Sequence, residues 1–414
     1  MSTMRIGTLD AIRGVAVLGI LLMNIIDMAM PGYATYDPYY YGGAGRVNYA
    51  AWAVSYVLFD GKMRGLFTMI FGASMVLIAE RALQSNESPA RVHYARMFWL
   101  FVFGMIHVWF IWYGDILVLY AAAGAIAFVA WRWSVRTLIA TGIVLLLGRL
   151  LLAVWVFAPL HELKQAASAP DAPASVQYEW QATQEAWSFP PPESQFGFRG
   201  SYVDAFKTRA PSTIYILTQS HPLSLIDTLA LIALGMALFR LGFFSGEWTK
   251  ATYRRVAWWG LGICVPLYIP LILWNEAERF SPITLQLTEA LHLSLVRPWL
   301  VLSYTSMIVL FVQSGAARWL AERLMAVGRM AFSNYIATSI ICTLIFNGYG
   351  LGWYGYLERW QCYLVVPVVW ALLLLWSKPW LERFAYGPLE WLWRSLARGE
   401  RQPMAKGKRL AVGG

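Results

Sequence analysis

Asp10 and Arg13 stand three residues apart at the head of an apolar run, so a helix would present both charges on one face. Such a pair either docks its helix against a neighbour or grips a charged substrate, and spacing leaves both readings open. Asn24 follows 14 residues after Asp10, about 21 Å farther along a helix axis. An amide there is interhelical glue or a donor to a developing oxyanion. The string FDGKMRGLF places Asp60, Lys62 and Arg64 at the mouth of a second apolar run. There they snorkel to water or line a polar cavity suited to an anionic or sugar-like acceptor. His107 lies deep in MFWLFVFGMIHVWFIWYGDIL, and Asp115 closes the turn behind it. Imidazole can take a proton from a hydroxyl or amine near neutral pH. On an unbroken helix these two would share a face but stand about 12 Å apart, so direct orientation of the ring by the carboxylate needs a bend or a relaying water. The bland alternative is a hydrogen-bonded core histidine.

The second half is quieter. Arg297 adjoins Pro298, and GRMAFSNYIATSI (328–340) sets Asn334 and Thr338 on one face, read as interhelical hydrogen bonding. The chain carries no G-x-S-x-G, H-E-x-x-H, P-loop or Cys–His metal spacing, so no metal is expected. Cys264, Cys342 and Cys362 all fall in apolar runs and read as packing residues.

These residues need elements to hold them, and composition says which. Of 414 residues, 58% are apolar, 16% aromatic and 14% charged; soluble domains run at about 45–50% apolar and about 25% charged. A soluble enzyme could not hide that much apolar surface, a disordered chain needs the opposite balance, and three cysteines exclude a disulfide scaffold. An all-α, polytopic transmembrane helix bundle remains. Runs of spanning length occur at 9–30, 60–80, 97–113, 116–131, 137–158, 222–241, 255–274, 293–313, 330–348 and 360–377, about ten spans. The first is too long for a cleaved signal and reads as an uncleaved span. Segment 46–58 is short and reads as an interfacial or re-entrant helix.

The net charge of +10 follows from Lys and Arg held on one side of a bilayer, and nucleic acid is not an expected partner. Arg81, Arg91, Arg96, Arg132 and Arg136 fall on that side, as does the tail with Arg394, Arg398, Arg401, Lys406, Lys408 and Arg409. The acids fall mostly on the other. The positive-inside rule then puts both termini in the cytoplasm. Residues 1–158 form a first five-helix half, 159–221 an extracytoplasmic loop with an amphipathic helix at 195–209, 222–393 a second five-helix half, and 394–414 a basic tail suited to anionic lipid.

LDAIRGVAVLGILLMN (9–24), GLFTMIFGAS, GMIHVWFIWYGDIL, GRMAFSNYIATSI and YGPLEWLWR (386–394) together resemble the YeiB-like family, multi-pass proteins of the bacterial inner membrane, long of unknown function. That family is similar in turn to the transmembrane acyltransferases that include heparan-alpha-glucosaminide N-acetyltransferase, which carry an acetyl group from cytosolic acetyl-CoA to a sugar amine across the membrane. The resemblance covers nearly the whole chain and is weakest in 159–221. The acetyltransferase's L-D-x-x-R-G string, with an Asn 14 residues after the Asp, maps onto Asp10, Arg13, Gly14 and Asn24. Its histidine 11 residues beyond that Asn falls on Thr35 here, so His107 is the substitute base.

The resemblance implies an inner-membrane acyltransferase with acyl-CoA (acetyl-CoA) as donor. Asn24 takes a catalytic role from that match, and His107 with Asp115 joins it as this sequence's own candidate base and its orienting carboxylate. Asp10, Arg13, Arg91 and Arg96 would hold the donor, and Asp60, Lys62 and Arg64 an extracytoplasmic glycan, lipid or small-molecule acceptor. A transporter or flippase is the competing reading, on the strength of charges inside the spans. Membrane lipids are expected partners, and a homodimer is left open.

Overall fold

All ten apolar runs fall on helices. The computed structural model describes residues 3–405; Lys406, Lys408 and Arg409 of the basic tail lie outside the described residues. In chain order the helices begin with α1 (Thr3–Ala29), α2 (Arg46–Leu58), α3 (Lys62–Gln84), α4 (Pro89–Phe110), α5 (Leu117–Ala127) and α6 (Val135–Ala167). Then come α7 (Ala174–Trp187), α8 (Tyr202–Tyr215), α9 (His221–Arg240), α10 (Lys250–Cys264), α11 (Tyr268–Ala277) and α12 (Pro282–Leu291). The last are α13 (Arg297–Ser314), α14 (Arg318–Arg329), α15 (Ala331–Phe346), α16 (Arg359–Cys362), α17 (Val365–Arg383) and α18 (Pro388–Arg398). Among the described residues there is no strand.

Among the described residues, seven helical units are long and apolar enough to cross a bilayer, and an eighth arises if α14 and α15, bent by 86°, count as one span. The expected count of about ten differs because of α4 and α5. Arg91, His93, Arg96 and three tryptophan or histidine positions dilute the apolar character of α4. Helix α5, even with the 3-10 turn Phe128–Ala130, is a short apolar helix, well under the roughly 30 Å of a hydrocarbon core. The two pack against each other as a hairpin, with Phe98, Phe101, Ile106 and Phe110 of α4 left exposed. The outer surface is apolar where lipid would lie: Val144, Leu147, Leu151 and Trp155 are exposed along α6, and Trp258 and Trp259 on α10. On a water-facing surface such a continuous apolar band would be anomalous. The protein is therefore a multi-pass membrane protein.

Segment 46–58 leads straight into the next apolar run. α2 and α3 form one helical unit, Arg46–Gln84, interrupted over residues 59–61, where Gly61 takes a φ of +69° that suits glycine. Residues 159–221 are largely helical. The helix expected at 195–209 begins later, because Ser201 and Asp204 form a capping box that starts α8 at Tyr202. A π-helical turn, Ile216–Ser220, then carries α8 into α9.

Helices from before and after residue 159 interleave. α1 lies between α3 and α14, and α9 packs against α3, α5 and α6. The α1–α14 crossing is a backbone contact. A Cβ on Gly14 would sit 2.1 Å from the Leu324 carbonyl oxygen, and one on Gly328 would sit 1.8 Å from that of Asp10. Glycine at both positions is what lets these axes meet. Cys264, Cys342 and Cys362 are buried free thiols, as packing residues should be. Asn334 ties three helices together: its amide donates to the Val327 carbonyl and to Ser377 Oγ, both at 3.1 Å, and its oxygen accepts from Trp376 Nε1 at 2.9 Å.

Candidate functional site

The end of the bundle that carries the arginine-rich turns opens into a cavity of about 370 Å³. Arg13, Arg81, Arg96, Arg329 and Arg394 line it. Its apolar wall comes from α1, α3, α4 and α5 and reaches Phe67, Tyr120 and Tyr335. Arg13 bonds Asp10 Oδ1 at 2.9 Å and Ser74 Oγ at 2.9 Å. The pair is thus an internal ion pair that also lines the cavity. Arg96 stacks on Trp393 at 4.0 Å, and its carbonyl accepts from Trp393 Nε1 at 2.9 Å. Arg91 does not line the cavity. It lies on the exposed first turn of α4, where Ser88 caps its backbone N–H, so it is not paired with Arg96 in one site as expected from their nearness in sequence.

Helix α18 closes one side. Its Glu390 reaches the first turn of α15, accepting from Phe332 N at 2.8 Å, Ser333 N at 3.0 Å and Ser333 Oγ at 2.5 Å. The two backbone N–H groups are orphan donors of a helix start, so a carboxylate from another element serves as the cap. Desolvation raises the Glu390 carboxyl above its ordinary range, against the pull of its donors.

Beyond the inner end lies the histidine. The expectation of a 12 Å gap on a continuous helix fails because α4 ends at Phe110 and the chain doubles back. His107 Nδ1 meets Asp115 Oδ1 at 2.8 Å, and Asp115 Oδ2 accepts from Val118 N at 2.7 Å. Both side chains are excluded from solvent, and His107 Nε2 is buried without a partner. A carboxylate on one ring nitrogen fixes the tautomer and leaves the other free to accept a proton. The His107 ring packs on Tyr335, with centroids 5.1 Å apart. Tyr335 also lines the small void where Asn24 lies with Thr338 and Ser339. Asn24, His107 and the arginine-lined cavity therefore converge on one tyrosine that sequence reading passed over.

Asp60, Lys62 and Arg64 do not line that cavity. They belong to a buried ionic cluster one turn away, joined to it through Tyr120, whose hydroxyl bonds Thr68 Oγ1 at 2.7 Å and the Arg64 carbonyl at 3.3 Å. The cluster centres on Asp227 of α9: Arg297 Nη1 is 2.8 Å away, Arg64 Nη2 3.5 Å and Arg149 Nε 3.8 Å. Arg149 also lies 3.8 Å from Glu289, and His292 Nε2 3.6 Å from Asp60. Lys62 is fully buried; it donates to the Tyr56 carbonyl and lies 4.2 Å over the Tyr268 ring. Sequence reading missed Arg149 and Asp227, although a lone charge in LLLGRLLLAV or SLIDTLALI was signal enough. Among the described residues no three His, Cys, Asp or Glu side chains converge as a metal would need.

Residues 238–400 match the family model described as "Protein of unknown function (DUF418)". The "Uncharacterized protein YeiB" of Escherichia coli (strain K12) is 30% identical, the alignment covering 94% of this chain and 95% of that protein. The "Uncharacterized protein YxaH" of Bacillus subtilis (strain 168) is 27% identical over 97% and 96% respectively. A similarity of this extent along both chains leaves one conclusion: the chain belongs to the YeiB-like family.

Proposed function

We propose that this protein is a membrane acyltransferase that draws acyl-CoA from the arginine-lined end and acylates an acceptor approaching from the other. The observation that carries the reading is the cavity itself, with cations at its rim, an apolar interior, and a carboxylate-oriented histidine against its innermost wall. Its volume falls in the range of small-molecule sites, about 300–1,000 Å³. Arg96, Arg329 and Arg394 would hold the donor phosphates at the rim while the pantetheine arm runs inward past Asp10 and Arg13. By the positive-inside rule this end faces the cytoplasm, and in a bacterium the membrane is the inner one.

The chemistry follows. His107 Nε2 takes the proton from an acceptor hydroxyl or amine as that atom attacks the thioester carbonyl. The carbonyl oxygen becomes an oxyanion, and the Asn24 amide donates to it. Collapse breaks the C–S bond, and the imidazolium returns the proton to the coenzyme A thiolate. Asp115 stabilises the imidazolium without itself being protonated. Tyr335 stands between the carbonyl position and Asn24, so the reaction requires it to turn aside.

The test is calorimetric titration of purified protein with acetyl-CoA, paired with label transfer from radioactive acetyl-CoA in native membranes. Saturable binding, with labelling abolished in a folded His107→Ala variant, is expected. Absent binding, or undiminished labelling in that variant, overturns the reading. The buried ionic cluster at Asp227 favours one alternative, a transporter for a charged solute. Solute flux into proteoliposomes lacking coenzyme A would favour it.

A further inference from the structure

The ionic cluster is incompletely paired. Four cations, Lys62, Arg64, Arg149 and Arg297, face three carboxylates, Asp60, Asp227 and Glu289. Three of the cations are arginines directed at the single carboxylate of Asp227. Arg297 is fully buried, yet its Nε and Nη2 have no hydrogen-bond partner, and Arg149 Nη1 is likewise buried and unpaired. A buried guanidinium with idle donors is costly, since each unmade bond to a charged group forgoes a strong interaction. The site is also reachable: the Glu289 and Asp60 side chains remain about a third exposed, at 36% and 33%, while Arg149 and Arg64 behind them keep 15% and 21%.

The geometry points to an oxyanion-binding site formed by Arg64, Arg149 and Arg297, taking a phosphate-type group. Two or three idle guanidinium donors of fixed planar geometry match tetrahedral oxyanions. Glu289 is a removable competitor, because its carboxylate already lies 3.8 Å from Arg149. The anion has two sources with the same chemistry, the phosphodiester of a lipid headgroup or a free phosphate-bearing solute. Calling this anion the acceptor's rests on the acyl-transfer reading; that the site binds one does not.

The experiment uses the full chain in phosphate-free dodecyl maltoside micelles and reads thermal unfolding and calorimetry. One arm titrates inorganic phosphate; the other adds phosphatidylglycerol to the micelles and no phosphate. The site predicts a saturable rise in Tm that weakens by at least about tenfold in affinity in Arg149→Gln and survives in Arg96→Gln, which removes an arginine of the other cavity. Glu289→Gln should tighten binding several-fold, so the proposal stays testable if an arginine variant folds poorly. A response to phosphate assigns a free solute, and a response to phosphatidylglycerol alone assigns a headgroup. No saturable response in either arm, or one that persists in Arg149→Gln and vanishes in Arg96→Gln, overturns it. Acetyl-CoA binding measured on the same samples separates the two ideas. Its loss with anion binding intact sinks acyl transfer alone, and the converse sinks the oxyanion site alone.

Discussion

Replacing Asp115 by asparagine isolates what the His107–Asp115 contact does. The carboxylate accepts two bonds, from His107 Nδ1–H at 2.8 Å and from Val118 N–H at 2.7 Å. Asparagine keeps the second, since its amide oxygen caps a helix start about as well as aspartate. Its NH2 group must then face His107 Nδ1. Only a ring with a bare Nδ1 accepts that bond, so the proton moves to Nε2, and the nitrogen that should receive a proton becomes a donor. A base in the wrong tautomer forfeits most of its contribution, about 10²–10⁴ in rate. Stability should fall by only about 1–2 kcal/mol, because a charge-assisted bond becomes a neutral one rather than vanishing. Asp115→Ala is the contrast: it strands two buried donors at about 1–3 kcal/mol each and should impair folding outright. Label transfer from acetyl-CoA measures the first effect, thermal unfolding the second, and NMR of ring-labelled histidine reads the tautomer. A folded Asp115→Asn protein that transfers label within about threefold of the parent refutes the tautomer argument.

Gly328→Ala drives a methyl into the Asp10 carbonyl, 1.8 Å away. The α1–α14 crossing should open at a cost of about 1–3 kcal/mol or more, visible as a lower Tm; an unchanged Tm would mean the crossing is loose. Glu390→Gln weakens the cap on α15 by about 1–2 kcal/mol. It should make α18 more susceptible to trypsin at Arg394 and Arg398, and equal cleavage rates would count against α18 being held by this carboxylate. Arg96→Gln should weaken acetyl-CoA binding roughly tenfold and flatten its salt dependence, while Arg91→Gln leaves both alone. Equal effects of the two would remove the cavity as the donor site.

Much of this was legible in the sequence, for identifiable reasons. Apolar run length located the helices because the bilayer imposes one length scale. Asn334 was read as interhelical glue and bonds two other helices. What failed to show depends on chain reversal. His107 and Asp115 meet only because α4 stops at Phe110, and period counting assumes that a helix continues. Asp60, Lys62 and Arg64 were visible as a charged triplet, but their partners Asp227, Glu289 and Arg297 come from α9, α12 and α13, and no local pattern links those segments. The cavity was hidden for the same reason: a tail read from residue 394 cuts α18 in two, yet its Glu390, Trp393 and Arg394 line one wall together.

Two tyrosines mark the boundary between the polar regions. Tyr120 separates the arginine-lined cavity from the ionic cluster, and Tyr335, with Val17 and Ile20, separates it from the void at Asn24. An enzyme that brings a thioester to a buried base must exclude water, or it hydrolyses its donor. Tyr335 suits that task, because its ring covers His107 while its hydroxyl makes only long contacts, 3.5 Å to the Gly114 carbonyl and 3.4 Å from Ile116 N. The ring is therefore placed by its packing and not by its hydroxyl. Tyr335→Phe should therefore leave stability and transfer nearly unchanged, whereas Tyr335→Ala joins cavity and void and admits water to the thioester. Acetyl-CoA should then be cleaved to acetate and free thiol without acceptor, read by thiol release, while label transfer falls. If the alanine variant releases no more thiol than the parent and still transfers label, Tyr335 is packing and nothing more, and the water-tight boundary must be sought elsewhere.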